Sequence, residues 1–395
     1  MTSFSEILQK IERMRLFSKI INNFLILGQE KIQKDEIINI SIGNESCDLD
    51  SFVSSMFTSF MTNTIHVVNM KREIFETKGE LMWLCKRFEI ELENLTFLEI
   101  PIEIENLEKR KEKSFFRVKD KKILLKNKVV NMNLTDHNRV VAELEDGDIK
   151  TIIDHHQLSK YVSKAETYII DTRVGSATTL VLDFFRKDFK KLNCKKKSIG
   201  MENGNFCSKL ADFLLIPIVI DTKNLKKRAS FLDKKKYNKL RKISKKNKKD
   251  LITIRKEIKK ARRIDKKQST EQILSKDFKK FKFNNIVFGS STIKYDFHKW
   301  INREYSTKDA GSLLFEDLKK FMSKLNLDFY FVTTKLKGRR YVISINSAIF
   351  EDISIRKNFS EINYKGMKYY EVPVEFSRKI MVPEIEGEIE RRKEF

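Results

Sequence analysis

Between Phe4 and Leu27, in FSEILQKIERMRLFSKIINNFLIL, apolar residues recur at helical spacing, which predicts an amphipathic helix laid on a core. The period then changes. EIINISIG (36–43) reads as a strand and DSFVSSMFTSFMTNT (50–64) as the helix after it, so an acidic turn joins strand to helix, as at the start of an α/β unit. The pattern recurs downstream. Ile65 to Val68 precede ELMWLCKRFEI, NLTFLEI precedes a charged stretch, and KILLKNKVVNMNLTDHN, DIKTIIDHHQ and FLLIPIVIDTKNL each place an apolar run before an acid. In open parallel sheets such acids fall at the carboxyl ends of strands, where ligands bind. Past residue 268 the pattern alternates differently. FKKFKFNNIVFGSSTI, LDFYFVTTKLKGRRYVISI and MKYYEVPVEFSRKIMVP read as strands, with FHKWI and AGSLLFEDLKKFMSKLNL as helices among them.

The expected architecture is therefore α/β: an N-terminal, mostly parallel sheet flanked by helices (1–222), a Lys-rich linker or insert (223–268) and a smaller C-terminal mixed α+β domain (269–395). A chain of 395 residues, 41% apolar, is long enough for two cores. The longest purely apolar run, FLLIPIVI (213–220), is too short to span a bilayer, and the N-terminus is charged where a signal peptide needs an apolar run. Cys47, Cys85, Cys194 and Cys207 have no metal-type spacing and make no disulfide framework. A reducing cytoplasmic setting, no membrane and a monomer are the expectation.

The formal net charge is +25, and its place matters more than its size. Residues 223–268 hold 22 Lys or Arg against four acids. Such blocks are ordinarily solvated faces, but clustered ammonium groups also attract phosphate-rich polyanions by counterion release. The block contains only Phe231 and Tyr237 as aromatics, which disfavours base stacking and hence nucleic acid as its purpose.

The candidate chemistry lies at the predicted strand ends. Asp48, Asp50, Asp136, His155 and Asp221 could bind a hard divalent cation, with His137 and His156 beside them, and three of the five histidines fall in DHN (136–138) and DHH (154–156). Taken singly, an Asp after a strand is an ordinary helix cap or turn former. Carboxylates with one imidazole, repeated at several strand ends, suit Mg²⁺ or Mn²⁺ and the clamping of a phosphate.

The order DxDS, DHN, DHH, DT, with SRKIMVP near the C-terminus, resembles the DHH phosphoesterase superfamily and its pyrophosphatase and exopolyphosphatase branch, from about Ile40 to Pro383. GNESCDLDS looks most like yeast-type exopolyphosphatase and the prune proteins, because pyrophosphatases of this branch carry His where this chain has Asn44. The resemblance implies two divalent ions, Mg²⁺ or Mn²⁺ with Co²⁺ as a further candidate. Asn44, Asp48 and Asp136 would surround one and Asp50, Asp136, His155 and Asp221 the other, with Asp136 bridging and a water between them attacking the terminal phosphorus. It also implies that His156 contacts phosphate as hydrogen-bond or proton donor, that His137 lies behind the ligands or on substrate, and that Lys279, Arg378 and Lys379 bind phosphate. In RVGSATT (173–179), Gly175 would permit a tight turn and Ser176 cap a helix. The implied activity is release of orthophosphate from inorganic polyphosphate. The rivals are a pyrophosphatase, a prune-like phosphodiesterase or short-chain polyphosphatase, and a non-enzymatic polyphosphate-binding scaffold.

Overall fold

The computed structural model describes residues 17–104, 106–158, 162–194, 203–262, 268–293, 295–305, 307–336 and 338–392. The chain divides into two compact units, one of residues 1–101 and 106–262, the other of residues 102–105 and 263–395. Each contains its own sheet and cores.

In the first unit, α1 (Phe17–Lys34) realises the described part of the N-terminal amphipathic pattern, burying Phe17, Ile20, Ile21, Leu25 and Ile32; residues 4–16 lie outside the described set. The eight-stranded sheet runs β5-β4-β3-β2-β1-β6-β7-β8. Its strands are β1 (Ile37–Ile42), β2 (Ile65–Val68), β3 (Thr96–Glu99), β4 (Phe115–Val118), β5 (Lys121–Leu124), β6 (Val129–Thr135), β7 (Ile149–Asp154) and β8 (Thr167–Ile170). From β3 through β8 across the sheet every pairing is parallel, while β4 and β5 form an antiparallel edge, so the expected mostly parallel α/β sheet is present. The chain runs outward from β1 through β2 to β3, then returns to lay β6 on the other side of β1. That reversal opens a crevice past the carboxyl ends of β1 and β6, the ordinary place for a ligand in such sheets.

One face of the sheet carries α1, α2 (Leu49–Thr62), α3 (Gly79–Phe88), α4 (Ala177–Phe184) and α5 (Asn203–Asp221) around a Phe-rich core. The other face buries Ile38, Ile40, Ile42, Met132, Leu134 and Ile152. The FLLIPIVI run is not a strand. It forms the interior of α5, and Phe213, Leu214, Leu215, Ile216, Ile218 and Val219 are all buried. A short apolar run looks alike in a buried strand and in a helix surrounded on all sides, so periodicity could not separate them. Asp221 thus closes a helix instead of ending a strand.

The basic segment folds onto this unit as two helices, α6 (Phe231–Ile243) and α7 (Lys248–Ala261), which pack against α5, with α7 also on α3. Leu240 of α6 and, at helical spacing on α7, Leu251, Ile254 and Ile258 are buried in the Phe-rich core.

The second unit has a six-stranded sheet in the order β13-β14-β12-β11-β10-β9, antiparallel except for the pair β10 and β11. Its strands are β9 (Phe278–Phe283), β10 (Ile286–Ile293), β11 (Phe329–Leu336), β12 (Arg339–Ile345), β13 (Ser360–Tyr364) and β14 (Met367–Val372). Its helices include α8 (Phe297–Glu304), α9 (Ala310–Lys324), α10 (Ala348–Arg356) and α11 (Arg378–Arg391). The sheet separates a core around Trp300, Leu314 and Tyr330 from one around Phe288, Phe331 and Phe350. SRKIMVP is the opening of α11, not a strand, with Pro383 inside the helix. Met381 and Ile385, four residues apart, are both fully buried, which is helical spacing that the preceding β14 pattern masked.

No helix among the described residues is long and apolar enough to cross a membrane. Cys47, Cys85 and Cys207 are buried free thiols.

Candidate metal centre

The turn from β1 into α2 gives its two aspartates different tasks. Asp48 is the N-cap of α2, and its Oδ1 accepts the backbone N–H groups of Asp50 (3.0 Å) and Ser51 (3.1 Å). Asp50, already inside the helix, points inward and is buried. The turn is tight: a Cβ on Gly43 would sit 2.2 Å from Ser51 Oγ and 2.8 Å from its carbonyl oxygen, so only glycine lets the strand exit pass so close to α2.

Asp50 is held by the start of α4. Its Oδ1 accepts from Ser176 Oγ (2.7 Å), Thr178 N (2.9 Å) and Thr178 Oγ1 (2.7 Å), and its Oδ2 from Ala177 N (2.6 Å). Ser176 occupies the N-cap position of α4 but makes no side-chain cap; its hydroxyl donates to Asp50 instead. His155 Nε2 lies 3.8 Å from Asp50 Oδ2 and 3.2 Å from Asp136 Oδ1.

Asp136 follows β6 in a left-handed conformation, φ 63°, which few aspartates adopt without a reason. Its Oδ2 accepts from Asn44 Nδ2 at 2.7 Å, while its buried Oδ1 has no hydrogen-bond donor. The Oδ1 of Asn44 is taken by Ser46 Oγ (2.7 Å) and the backbone N–H of Cys47 (3.0 Å). A backbone N–H can only donate, so the amide orientation is determined. The resemblance implied an oxygen ligand at Asn44. As placed, Asn44 instead turns its N–H groups to Asp136 and is a donor to that carboxylate.

The histidines are oriented from behind. His155 Nδ1 donates to the carbonyl of Val174 (3.0 Å), which leaves Nε2 as the nitrogen facing Asp136 and Asp50. His156 Nδ1 donates to Asp154 Oδ1 (2.7 Å), and the two rings meet edge to face, 4.7 Å between centroids. Asp154, fully buried, also accepts the backbone N–H of His155 (2.8 Å) and Asn138 Nδ2 (2.7 Å). Asp154 and Asn138 were not singled out from sequence, although both lie inside the quoted DHH and DHN. A residue that orients ligands carries the same letter as one that binds. His137 Nδ1 donates to Thr135 O (2.9 Å) and is half-buried.

Electrostatics shows what the cluster lacks. Burial pushes the Asp136 carboxyl up to about 8, the Asp48 and Asp50 charges adding to this and His155 opposing it. Burial likewise raises Asp50, with His155 opposing, and holds Asp221 well above the carboxylate range, where the Asp50 and Asp48 charges add to it. Asp154 goes the other way: burial would raise it, but the hydrogen bond and charge of His156, the charge of His155 and the bond from Asn138 outweigh that. Asp221 Oδ2, like Asp136 Oδ1, is buried without a partner.

Ligand atoms of Asp136, His155 and His156 all lie within 4.8 Å of one another. Acids that cannot comfortably ionise together, two orphaned carboxylate oxygens and an imidazole lone pair aimed at them fit a divalent cation.

Behind this site sits Asp233 of α6, fully buried. It accepts from Ser230 N (2.8 Å) and Ser230 Oγ (2.7 Å) in a capping box, and also from Gly175 N (2.9 Å) and Thr179 Oγ1 (2.7 Å). Gly175 also passes too close for a side chain, since a Cβ would lie 2.2 Å from the Arg228 carbonyl oxygen. The loop that holds Asp50 is thus tied to the basic segment. Asp233→Ala is expected to lower the stability of this unit by about 2–3 kcal/mol. It should also weaken divalent-metal affinity about tenfold, the low end for an outer partner. Urea melts and metal-titration calorimetry check the two effects.

Among the expected phosphate-binding residues, Lys279 in β9 stands opposite Ser290 of β10, whose hydroxyl is buried without a partner. Arg378 opens α11 and turns both terminal nitrogens onto its own unit: Nη1 to the carbonyls of Asp277 (2.9 Å) and Ser290 (3.2 Å), Nη2 to Asp277 Oδ1 (2.5 Å). Lys379 is exposed. Lys279, as ladder partner, and Arg378, by a hydrogen bond to its carbonyl, both adjoin Ser290 of β10.

Comparison with known proteins gives a consistent picture. Residues 256–387 match the DHHA2 domain family. A Schizosaccharomyces pombe protein provisionally named an exopolyphosphatase is 29% identical over 212 residues, 51% of this chain and 49% of that protein, so the match spans about half the length of that relative. A manganese-dependent inorganic pyrophosphatase of Methanocaldococcus jannaschii is 27% identical over 277 residues, 69% of this chain and 84% of that protein. A Methanococcus jannaschii crystal structure, provisionally described as a family II inorganic pyrophosphatase, aligns over 89% of this chain and 99% of its own at TM-score 0.59 and 21% identity, a likeness of fold. These matches bear out the resemblance drawn from the motif order.

Proposed function

Taking the chain as a DHH phosphoesterase whose C-terminal part carries a DHHA2 domain, we propose that it is an exopolyphosphatase, releasing orthophosphate from the ends of inorganic polyphosphate. The observation that carries a metal-dependent hydrolase is the set of buried Asp50 and Asp136 with half-buried Asp221, in which Asp136 Oδ1 and Asp221 Oδ2 are buried and orphaned and His155 Nε2 lies beside Asp136 and Asp50. Divalent ions held there, two in this reading, would neutralise charge on the transferring phosphoryl group and make a bound water acidic.

The chain's own residues do the rest. Asp136 and His155, with Asp48, Asp50 and Asp221, hold the cations. Asn44 fixes the Asp136 carboxyl through its amide N–H. His156, whose Nδ1 proton is anchored on Asp154, would meet a phosphate oxygen through Nε2 and, when protonated there, give that proton to the leaving group. Lys279, Arg378 and Lys379 hold substrate phosphate, Arg378 after leaving Asp277 for a competing anion.

A pyrophosphatase is the second reading, favoured by the coverage of the archaeal relative and opposed by Asn44, where pyrophosphatases of this branch carry His. Phosphate release from pyrophosphate, tripolyphosphate and long polyphosphate under Mg²⁺, Mn²⁺ and Co²⁺ separates the two. The expected result is turnover that persists to long chains. Rapid cleavage of pyrophosphate with indifference to long chains sinks the proposal.

A further inference from the structure

The metal centre leaves the cations of residues 223–262 without a task. Their placement is not that of a solvated block that happens to be basic. Of the acids in α6 and α7, Asp233 and Asp250 are both consumed at the N3 position of capping boxes, which leaves Glu257 as the remaining acid of the two helices. Ion pairs that this segment makes among the described residues go to the body of the unit: Lys236 to Asp183, Lys246 to Asp212 and Arg262 to Glu80. The outward cations are a different set. Lys235 and Lys242 recur seven residues apart on α6, and Lys249, Lys256 and Lys260 recur at i, i+7 and i+11 on α7, each an exposed position on one helical face.

Three features select the partner. The first is charge: an outer face of lysines with so little acid calls for a polyanion. The second is the type of cation. The exposed cations of the two helices are lysines, while Arg241 and Arg255 are half-buried. Ammonium groups are point charges that exchange counterions readily, and a face made of them suits a uniform chain of phosphates more than one fixed phosphate gripped by a guanidinium fork. The third is the scarcity of stacking platforms. Of the two aromatics, Tyr237 is buried with its hydroxyl on Asn224 (2.6 Å), and Phe231 alone is exposed. Single-stranded nucleic acids gain much of their affinity from successive stacked bases, and Phe231 offers one such platform at most.

The face is also mechanically joined to the metal centre. The segment begins two residues after Asp221 and continues through Lys226, Lys227 and Arg228, whose carbonyl abuts Gly175. Asp233 then ties α6 to the loop that supplies the hydrogen bonds of Asp50.

We propose that the exposed lysine rows of α6 and α7 serve as a secondary binding surface for the body of the inorganic polyphosphate chain whose end is being cleaved. The inference rests on the exopolyphosphatase reading and adds to it a surface that favours long chains over short ones. A long chain engages many lysines at once and gains affinity by counterion release, while tripolyphosphate can engage few.

The test is direct binding by the full-length chain in a chelator, so that no hydrolysis runs, to polyphosphate of about 100 units, to tripolyphosphate and to single-stranded DNA of matched charge, across a salt series. The variant carries Lys235→Gln, Lys242→Gln, Lys249→Gln, Lys256→Gln and Lys260→Gln, changes that preserve helix propensity at exposed positions. It should bind long polyphosphate at least about tenfold more weakly at about 0.1 M salt, with its log–log salt slope flattened by about 0.7 for each ammonium–phosphate pairing removed. Tripolyphosphate affinity should move far less, and the matching set of Lys→Arg changes should retain wild-type binding. Unchanged long-chain affinity and slope in the Lys→Gln variant overturn the inference. So does tighter wild-type binding of the DNA than of polyphosphate, which would make the face a nucleic-acid surface. Phosphate release is measured separately. A protein that fails to hydrolyse polyphosphate yet loses metal-free binding with the lysines supports this surface while refuting the enzymatic reading.

Discussion

Asp136→Asn is expected to reduce phosphate release by about a thousandfold or more, well beyond the roughly 10–100-fold that loss of an outer partner of a metal ligand costs. Asp136 is where the local order converges. Its Oδ1 is buried and orphaned, 3.2 Å from His155 Nε2, and its Oδ2 is held by Asn44. The substitution keeps shape and size, and the amide can still meet Asn44, so it removes charge and ligand strength without opening a cavity. Metal-free binding of long polyphosphate should stay within about twofold of wild type if it depends on the lysine face. Loss of turnover with retained binding identifies an enzyme with a separate polyanion surface. Unchanged phosphate release would remove Asp136 from the reaction, whereas no release by the wild-type chain would favour a scaffold that merely binds polyphosphate. Release kinetics and binding on the same preparation decide it.

The second large effect is on stability, and its sign is unusual for carboxylates. In the metal-free protein, Asp136 sits at about 8, and Asp50 and Asp221 are also raised. A raised carboxyl binds its proton more tightly in the folded state than in the unfolded one. The stability associated with it is therefore fully present below the unfolded value, near about 4, and is lost as pH rises through the folded value. Asp154 acts oppositely, being held below its ordinary value, and its contribution is lost only on strong acidification. Buried His66, which burial pushes down to about 3, opposes these acids up to its unfolded value of about 6.5, so the net loss in the chelated protein is expected between about pH 6.5 and about pH 8.

A tenfold difference in proton affinity is about 1.4 kcal/mol, and for a unit of this size each kcal/mol moves the melting temperature by about 2–4 °C. Divalent metal should reverse the loss. The temperature gap between metal-loaded and chelated protein is expected to widen by several degrees from about pH 6 to about pH 8, and Asp136→Asn should abolish much of that widening. Calorimetry of both forms across pH measures it. A chelated protein as stable at the upper end of that range as at the lower would show that the acids are not forced together.

Much of the first unit was legible because its elements announce themselves locally. The amphipathic spacing of α1, the strand of β1 and the DxDS turn into α2 are all short-range patterns, and the structure reproduces them. FLLIPIVI was not legible as a helix, because a run that is apolar on every side has no period to read, and a proline within it argues against helix until tertiary packing overrides it. SRKIMVP failed for a related reason: a proline six positions into α11 hides a helix that begins directly after strand-like residues.

The amino-acid sequence alone determined which residues could bind a hard cation, their order along the chain, and the kind of sheet whose strand ends would present Asp136 and His155. Those properties depend on side-chain chemistry and local periodicity, which are written residue by residue. Only the tertiary structure decided that Asp48 caps α2 while Asp50 turns inward, that Asn44 offers its N–H groups to Asp136, and that Asp154 sets the tautomer of His156. It alone decided that Asp233, 58 residues along the chain from Gly175, braces the loop around Asp50. Hydrogen-bond direction and burial are properties of pairs brought together by packing, and no single residue carries them.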